Sequence, residues 1–313
     1  MLSRTADHLY WMARYTERAE NLARMLDVTQ RVALLHGGQA DAANWRAALD
    51  IAGGATGMLA DPERVTPAAV LYHLAFDGDN PSSIVSCLKA ARENAHAVRG
   101  TLTSELWETI NDTWLRVREL DHGDLAENDS GAFFEWVKYR SHLSRGVTIG
   151  TLCQDEALWF TRLGTYLERG DSTARILDVK FRLLLPEGGD ADDPGDYYPW
   201  SMLLRSVSAF EIYRKVYRDR ITPRRVAELF VFRHDMPRSL RHCLDQVLTL
   251  LERVGNRQSG ETQRRAGLLY ASLRYGRVED LFRDGPHRFL GEFLGGAADL
   301  SERIANDFLV PRH

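Results

Sequence analysis

The chain has 313 residues, of which 44% are hydrophobic and 27% charged, a composition typical of globular proteins with a hydrophobic core. Its net charge of -4 gives no bulk attraction to nucleic acid or to an anionic membrane surface, so we expect neither as a partner. Its apolar runs are too short for a membrane helix, and its N-terminus lacks the pattern of a signal peptide. The three cysteines form no CxxC pair. These features predict a cytoplasmic protein with free thiols.

The first predicted element is one long helix over residues 5–35. Apolar or small side chains recur there with the helical period, and the helix would be about 45 Å long. The glycines of "HGG" (36–38) predict its end, because glycine permits a left-handed C-cap. "TPAAV" (66–70) predicts the start of another helix, with Thr as N-cap and Pro in the first turn. "DNPSS" (79–83) breaks the chain and starts the next helix.

Four more helices follow from the same periodicity. They are predicted at 104–120, 131–150, 260–280 and 287–309. Alternating apolar and polar runs, which would indicate strands, are absent from the sequence. The sequence therefore predicts an all-α fold, a bundle of long helices.

The second half of the chain repeats the first. Residues 15–28 match residues 166–179 at eight of fourteen positions, and residues 66–88 match residues 222–244 at nine of twenty-three. Matching blocks in the same order indicate a tandem duplication of a unit of about 150 residues. We expect the two copies to be related by a pseudo-twofold axis and to form one continuous helical domain. The predicted units are residues 1–150 and 151–313.

Both copies of the long helix carry a Glu-Arg pair among other charged residues. Spacings of three and four residues place several of these side chains in one stripe along the helix. Small residues occupy a third face and would let two helices approach closely. The charged candidates are Arg14, Glu17, Arg18, Glu20 and Arg24 in the first copy and Glu168, Arg169, Asp171 and Arg175 in the second.

Three interpretations of this charged pattern remain open. In the structural one, Glu17 and Glu168 accept bidentate bonds from arginines and lock the register of the helices, so that removing one partner costs about 3–5 kcal/mol. In the functional one, the charges bind an amino acid or the tail of a partner. In the third, the helix carboxylates hold a metal, but Glu-x-x-His occurs only at Glu93–His96 and is not repeated. We therefore predict no metal site.

Other motifs give weaker signals. No glycine-rich nucleotide-binding loop occurs, so we expect no cofactor. Ser83 and Ser239 follow proline and are predicted to cap helices, as are Asp79 and Asp235. The stretch "YRKVYRDRITPRR" (213–225) is basic and interleaved with aromatics and could contact phosphates. Nothing equally basic occupies the first copy, and we interpret the stretch as a solvated helix face.

The chain resembles the alpha-E family, bacterial all-helical proteins named for their Glu-Arg motif. The resemblance lies in "YWMARYTERAENLARMLDV", "LGTYLERGDSTARILDV" and "FRHDMPRSLRHCL", and it spans nearly the whole chain. Gly170 departs from the alanine expected there by comparison with Ala19. The third block adds Asp235 and Arg238 to the candidate binding residues. The resemblance implies two partners: a circularly permuted ATP-grasp protein and a transglutaminase-like peptidase.

Two functional expectations follow from the resemblance. The first is a non-catalytic helical subunit of an amide- or peptide-ligase system, which binds the ligase or its peptide or amino-acid substrate through the charged centre. The second is an enzyme of the same pathway, which forms or cleaves an amide bond with Glu17 or Glu168 as general acid or base. The chain has no catalytic or nucleotide-binding motif of its own, which favours the first expectation.

Overall fold

The computed structural model describes residues 1–36, 39–54, 65–120, 130–185, 189–193 and 197–310; within these ranges the side chains of residues 32, 34–36 and 39–41 are not described. The described residues form helices and no strand, which confirms the all-α prediction. The chain divides into two compact units, Met1–Thr165 and Tyr166–His313. The boundary falls inside one helix, and each unit is described by itself below.

Unit 1 is built around its first helix. This helix, α1, packs against α4 and α6, and α5 packs against both α4 and α6. The shorter helices α2 and α3 follow α1 in the chain and also contact it. The helices of unit 1 are α1 (Ser3–His36), α2 (Gln39–Ala52), α3 (Pro67–Ala75), α4 (Ile84–Ala97), α5 (Ser104–Arg118), α6 (Ser130–Thr151) and the first ten residues of α7 (Glu156–Leu184).

Unit 2 holds the rest of α7 and seven further helices among its described residues. Helix α11 packs against α12, which packs against α14, and α13 contacts both α14 and α10. A π-helical turn, Glu228–Phe232, follows α10 directly. The helices are α8 (Tyr197–Ser206), α9 (Phe210–Tyr217), α10 (Pro223–Ala227), α11 (Leu240–Val254), α12 (Gly260–Tyr275), α13 (Val278–Asp284) and α14 (Pro286–Phe308).

The helix starts predicted from Thr-Pro and Pro-x-Ser are confirmed in both units. The hydroxyls of Thr66 and Thr222 accept the backbone N–H three residues later, and proline occupies the first turn. Ser83 and Ser239 do the same at the starts of α4 and α11. Such side chains satisfy N–H groups that have no partner within the helix. The glycine end predicted at "HGG" includes residues 37–38, which lie outside the described residues.

The predicted helix over 260–280 is wrong at its C-terminal end. The structure divides it into α12 and α13, with Gly276 as the C-cap of α12. A Cβ atom at Gly276 would lie 2.4 Å from the carbonyl oxygen of Ser272 and 2.9 Å from a ring carbon of Phe232. The chain therefore turns where only a residue without a side chain fits. The helices predicted at 104–120, 131–150 and 287–309 are confirmed.

No helix in the described part of the chain has the length and apolarity needed to span a bilayer.

Candidate functional site

The charged face of α1 lies against α6, and the two helices run antiparallel in this contact. Polar contacts join them in sequence: Arg31 with Glu135, Asp27 with Lys138, Arg24 with His142 and Glu20 with Arg145. The residue numbers of the partners on α6 increase as those on α1 decrease, which is the order expected for antiparallel helices. At about 1.5 Å per residue, these contacts extend over roughly 15 Å of helix. We call this set of contacts the charge ladder.

Glu20 is the most deeply buried acid of the charge ladder, with 0% of its surface exposed. Its Oε1 accepts hydrogen bonds from Arg24, with Nε at 2.9 Å and Nη2 at 2.8 Å. Its Oε2 accepts a bond from Nη2 of Arg145. Both carboxylate oxygens thus carry a guanidinium partner, the strongest arrangement open to a buried carboxylate. Glu20 also has no exposed surface through which a substrate could reach either oxygen.

Glu17 belongs to the same cluster. It is 2% exposed, and its Oε2 lies 3.5 Å from Nη2 of Arg145. Arg145 therefore serves two buried acids from the neighbouring helix. Nη2 of Arg24 also donates to Nε2 of His142 at 3.0 Å. Because a guanidinium cannot accept, His142 uses Nε2 as the acceptor and carries its ring proton on Nδ1.

The structure separates the predicted cations of α1 into two groups. Arg24 lies in the charge ladder, whereas Arg14 and Arg18 lie over aromatic rings. The guanidinium of Arg14 is 5.0 Å from the ring centre of Trp11 and donates to the hydroxyl of Tyr10 at 3.1 Å. Arg18 is 5.8 Å from the ring centre of Tyr15. These are cation–π contacts, which explain why arginines occur inside an aromatic row.

The second Glu-Arg motif has a different setting within unit 2. Glu168 and Arg169 are buried, with 3% and 6% exposure, and Arg169 lies 5.5 Å from the ring centre of Tyr166. Asp171, the counterpart of Glu20, accepts from Nε of Arg175 at 2.7 Å. That pair is partly solvated, with 22% and 42% of the two side chains exposed. The i, i+4 spacing of the Glu20–Arg24 pair therefore recurs in Asp171–Arg175, but the second pair is more exposed.

One feature of the charge ladder does recur in unit 2. Asp27 accepts from Arg31 one turn later and from Lys138 on α6, at 2.7 and 2.8 Å. Asp178 accepts from Arg182 one turn later and from Nδ1 of His287 on α14, the latter at 2.5 Å. Each aspartate thus ties its own long helix to a later helix of the same unit.

The remaining predicted residues lie at the turn before α11. Asp235 accepts from Nε and Nη2 of Arg233 at 2.8 and 2.5 Å. This bidentate pair holds the pKa of Asp235 below its usual range. Arg238 is buried at the same turn. The prediction that Asp79 and Asp235 cap helices is wrong, because Ser83 and Ser239 occupy those caps.

Sequence reasoning missed the residues that α6 contributes. Lys138, His142 and Arg145 are spaced four and three residues apart, so they share one face of α6. That spacing is visible in "KYRSHLSR" (138–145). It identifies these residues as partners of α1 only once α6 is known to lie antiparallel to α1. Within the described residues, no group of three or more His, Cys, Asp or Glu side chains could hold a metal ion.

The fold and the charge ladder define an all-α protein whose long helix carries a buried, arginine-paired Glu-Arg motif. The chain belongs to the Alpha-E family, described as a predicted alpha-helical domain with a conserved ER motif, and the family model matches residues 1–309.

The chain is also similar to uncharacterized proteins of Mycobacterium bovis and Mycobacterium tuberculosis. The identity is 27% over 321 residues in each case, which covers 94% of this chain and 35% of the relative. The chain thus spans about a third of the length of the curated relatives it matches. No solved structure matches it significantly.

Proposed function

We propose that this chain is a non-catalytic helical module that binds an ATP-grasp amide or peptide ligase, or the peptide or amino-acid substrate of that ligase. The observation that carries the proposal is the closed state of the Glu-Arg centre in unit 1. A general acid or base needs an oxygen that can reach the substrate. Glu17 and Glu168, the acids of the enzymatic alternative, are only 2% and 3% exposed. Glu17 also lies beside Arg145 and next to Glu20, whose two oxygens both have guanidinium partners.

The length of the relatives supports the same proposal. In the mycobacterial proteins the matching region is about a third of a longer polypeptide. A domain that occurs beside other sequence within one chain is suited to work with those other parts. The ATP-grasp protein and the transglutaminase-like peptidase are the partners implied by the family resemblance. We propose that the module works with these two partners in the cytoplasm.

The proposal includes a duplicated origin for the two units. The matched blocks of sequence support it, as do the equivalent caps Thr66 and Thr222 and the equivalent ion pairs of Asp27 and Asp178. After duplication, unit 1 kept a fully buried Glu20–Arg24 pair while unit 2 carries a solvated Asp171–Arg175 pair. We propose that the Glu20–Arg24 pair is structural. The second half of the chain would then provide the exposed charged groups that bind a partner.

The test is ATP turnover by the cognate ATP-grasp protein, with candidate amino acids and peptides, in the presence and absence of this chain. We expect ADP release or ligation to depend on the chain. The variant Glu108→Gln, which removes an exposed carboxylate of unit 1, serves as control and should support turnover fully. If the ATP-grasp protein works equally well alone, the proposal is wrong.

The same assay tests the enzymatic alternative. In that case Glu17→Gln or Glu168→Gln would abolish product formation without changing the melting temperature of the chain. Our proposal predicts the opposite for Glu17→Gln: a lower melting temperature and, below it, unchanged turnover by the partner.

A further inference from the structure

The basic stretch near the end of α9 carries more positive charge than its acidic neighbours balance. Residues 214–225 contain six basic residues and one acid. Two of the six have carboxylate partners: Arg224 pairs with Asp192, and Arg225 with Asp219. The other four have exposed side chains, and none of them makes an ion pair with a described residue. They are Arg214, Lys215, Arg218 and Arg220, which we call the basic patch.

The backbone beneath the basic patch is held in one conformation. Tyr213 is fully buried, and its hydroxyl donates to the carbonyl oxygen of Arg220 at 2.8 Å and accepts from the N–H of Thr222 at 3.3 Å. Arg225 donates to Asp219 at 2.8 Å and so closes the same turn. Arg218 ends α9 in the left-handed conformation, with φ of 52°. Arg214 and Lys215 are therefore presented by the last turn of α9 and Arg218 and Arg220 by the fixed turn that follows it, which lowers the entropy lost when a partner binds.

An acidic segment of this chain already binds the far end of the same stretch. The N–H of Arg224 donates to the carbonyl oxygen of Ala191 at 3.0 Å, and its Nε donates to Asp192 at 2.7 Å. Ala191 is buried in this contact, within the acidic sequence "GDADD". Main-chain and carboxylate groups of an acidic polypeptide thus fit this surface.

The aromatic residues of the stretch argue against single-stranded nucleic acid. Bases need exposed aromatic faces on which to stack. Tyr213 is buried, and the ring of Tyr217 lies 4.8 Å from that of Tyr213 and 5.7 Å from the guanidinium of Arg225. Both rings are thus already covered.

We propose that the basic patch binds an acidic segment of a partner polypeptide, in the manner in which Arg224 already holds Asp192. The corresponding residues of the first copy, 58–69, contain one arginine, so the surface belongs to the second half alone. This inference deepens the proposed function, since it names the chemistry by which a partner is held. The inference is tested by a binding experiment on this chain alone, whereas the proposed function is tested by turnover of the ATP-grasp protein. Either test can therefore fail while the other succeeds.

The experiment measures binding of a fluorescein-labelled oligoglutamate peptide to the full chain by anisotropy, at low and at high salt. Three probes are compared: the oligoglutamate, an oligoglutamine of the same length, and an oligothymidine of the same charge. In the patch variant, four substitutions neutralise the basic patch: Arg214→Gln, Lys215→Gln, Arg218→Asn and Arg220→Gln. The control variant removes the same charge from exposed arginines elsewhere: Arg99→Gln, Arg118→Gln, Arg257→Gln and Arg274→Gln.

We expect the oligoglutamate to bind with a salt-sensitive affinity and the patch variant to bind it at least about tenfold more weakly, while the control variant loses less than about twofold. Equal losses in the two variants would overturn the inference, because bulk charge would then explain binding. So would equal affinity for the oligoglutamine, or tighter binding of the oligothymidine. If the patch variant does not fold by circular dichroism, the helix-surface pair Arg214→Gln and Lys215→Gln replaces it, with an expected loss of about threefold.

Discussion

Arg24 donates to Glu20 from one turn further along the same helix, and this pair is excluded from solvent. Its counterpart, Arg175 with Asp171, has the same spacing but lies partly in water. These two pairs therefore offer a comparison in which sequence spacing is constant and burial differs. Burial decides how much such a pair contributes, because a charge left alone in the interior has no water to solvate it.

The first prediction uses this comparison. Glu20→Gln removes the charge that balances Arg24 and Arg145, and we expect it to lower the free energy of unfolding by about 3–5 kcal/mol. Asp171→Asn leaves Arg175 free to meet water, and its cost should be under about 1 kcal/mol. Urea denaturation of the two variants measures both values. Equal losses would contradict a structural role for the buried pair.

The second prediction concerns the close approach of α1 and the part of α7 in unit 1. A Cβ atom at Gly164 would lie 2.3 Å from the carbonyl oxygen of Tyr10, closer than any real contact. Gly164→Ala should therefore push the two backbones apart and lower the free energy of unfolding by about 2 kcal/mol.

Gly170 is the matched control on the same helix. A Cβ atom there would lie 3.4 Å from Cβ of Cys243, an ordinary contact. Because alanine favours a helix by about 1 kcal/mol over glycine, Gly170→Ala should be neutral or stabilising by up to that amount. Thermal melts followed by circular dichroism separate the two outcomes. A destabilised Gly170→Ala would mean that this position is also a close contact.

The sequence alone predicted the helices and several of their starts, because both depend on neighbours in the chain. The period of 3.6 residues placed α1. The hydroxyls of Thr66, which precedes a proline, and Ser83, which follows one, cap the helices that those positions indicated. Only the break at Gly276 was missed among the long helices. It depends on a ring of Phe232, far away in sequence.

The partners of the Glu-Arg motif could not be predicted in the same way. The spacing on α1 showed which acids share a face, but not which helix covers them. Arg145 and His142 lie more than a hundred residues away, and their register against α1 is fixed only by packing. The sequence also placed Arg14 with the acids, whereas a Trp11 ring holds its guanidinium. An arginine side chain can bind either a carboxylate or an aromatic ring, and the spacing along the helix does not predict which of the two it contacts.

The third prediction tests whether Ser83 acts as a helix cap, as predicted, or as a nucleophile. Ser83 is buried, and its Oγ accepts from the N–H of Ser86 at 3.1 Å. Ser83→Ala should lower the free energy of unfolding by about 1 kcal/mol, while Ser83→Gly should cost only a few tenths. A nucleophile would lose its activity in both variants alike. Denaturant titration of the two proteins, together with the ligase turnover assay, distinguishes these roles.

The fourth prediction concerns Lys180 on α7, whose stem lies in a row with Ile176, Leu177, Leu183 and Leu184. Burial of its amine lowers the pKa to about 8, from a usual value of 10.5. Below pH 8 the amine is charged in both the folded and the unfolded chain, and the folded state is destabilised by roughly 3 kcal/mol. Between the two pKa values the unfolded chain binds more protons, so this destabilisation decreases as the pH rises.

Lys180→Met removes the charge and keeps the apolar stem. We expect the variant to be more stable than the natural chain by roughly 3 kcal/mol at neutral pH, and the difference to shrink as the pH rises from 8 toward 10.5. Urea titrations of both proteins across that range measure the difference, and all other titrating groups cancel in it. Lys89→Met, at an exposed position of α4, is the control and should show no such trend. A constant difference for Lys180→Met would mean that its amine keeps the same proton affinity folded and unfolded.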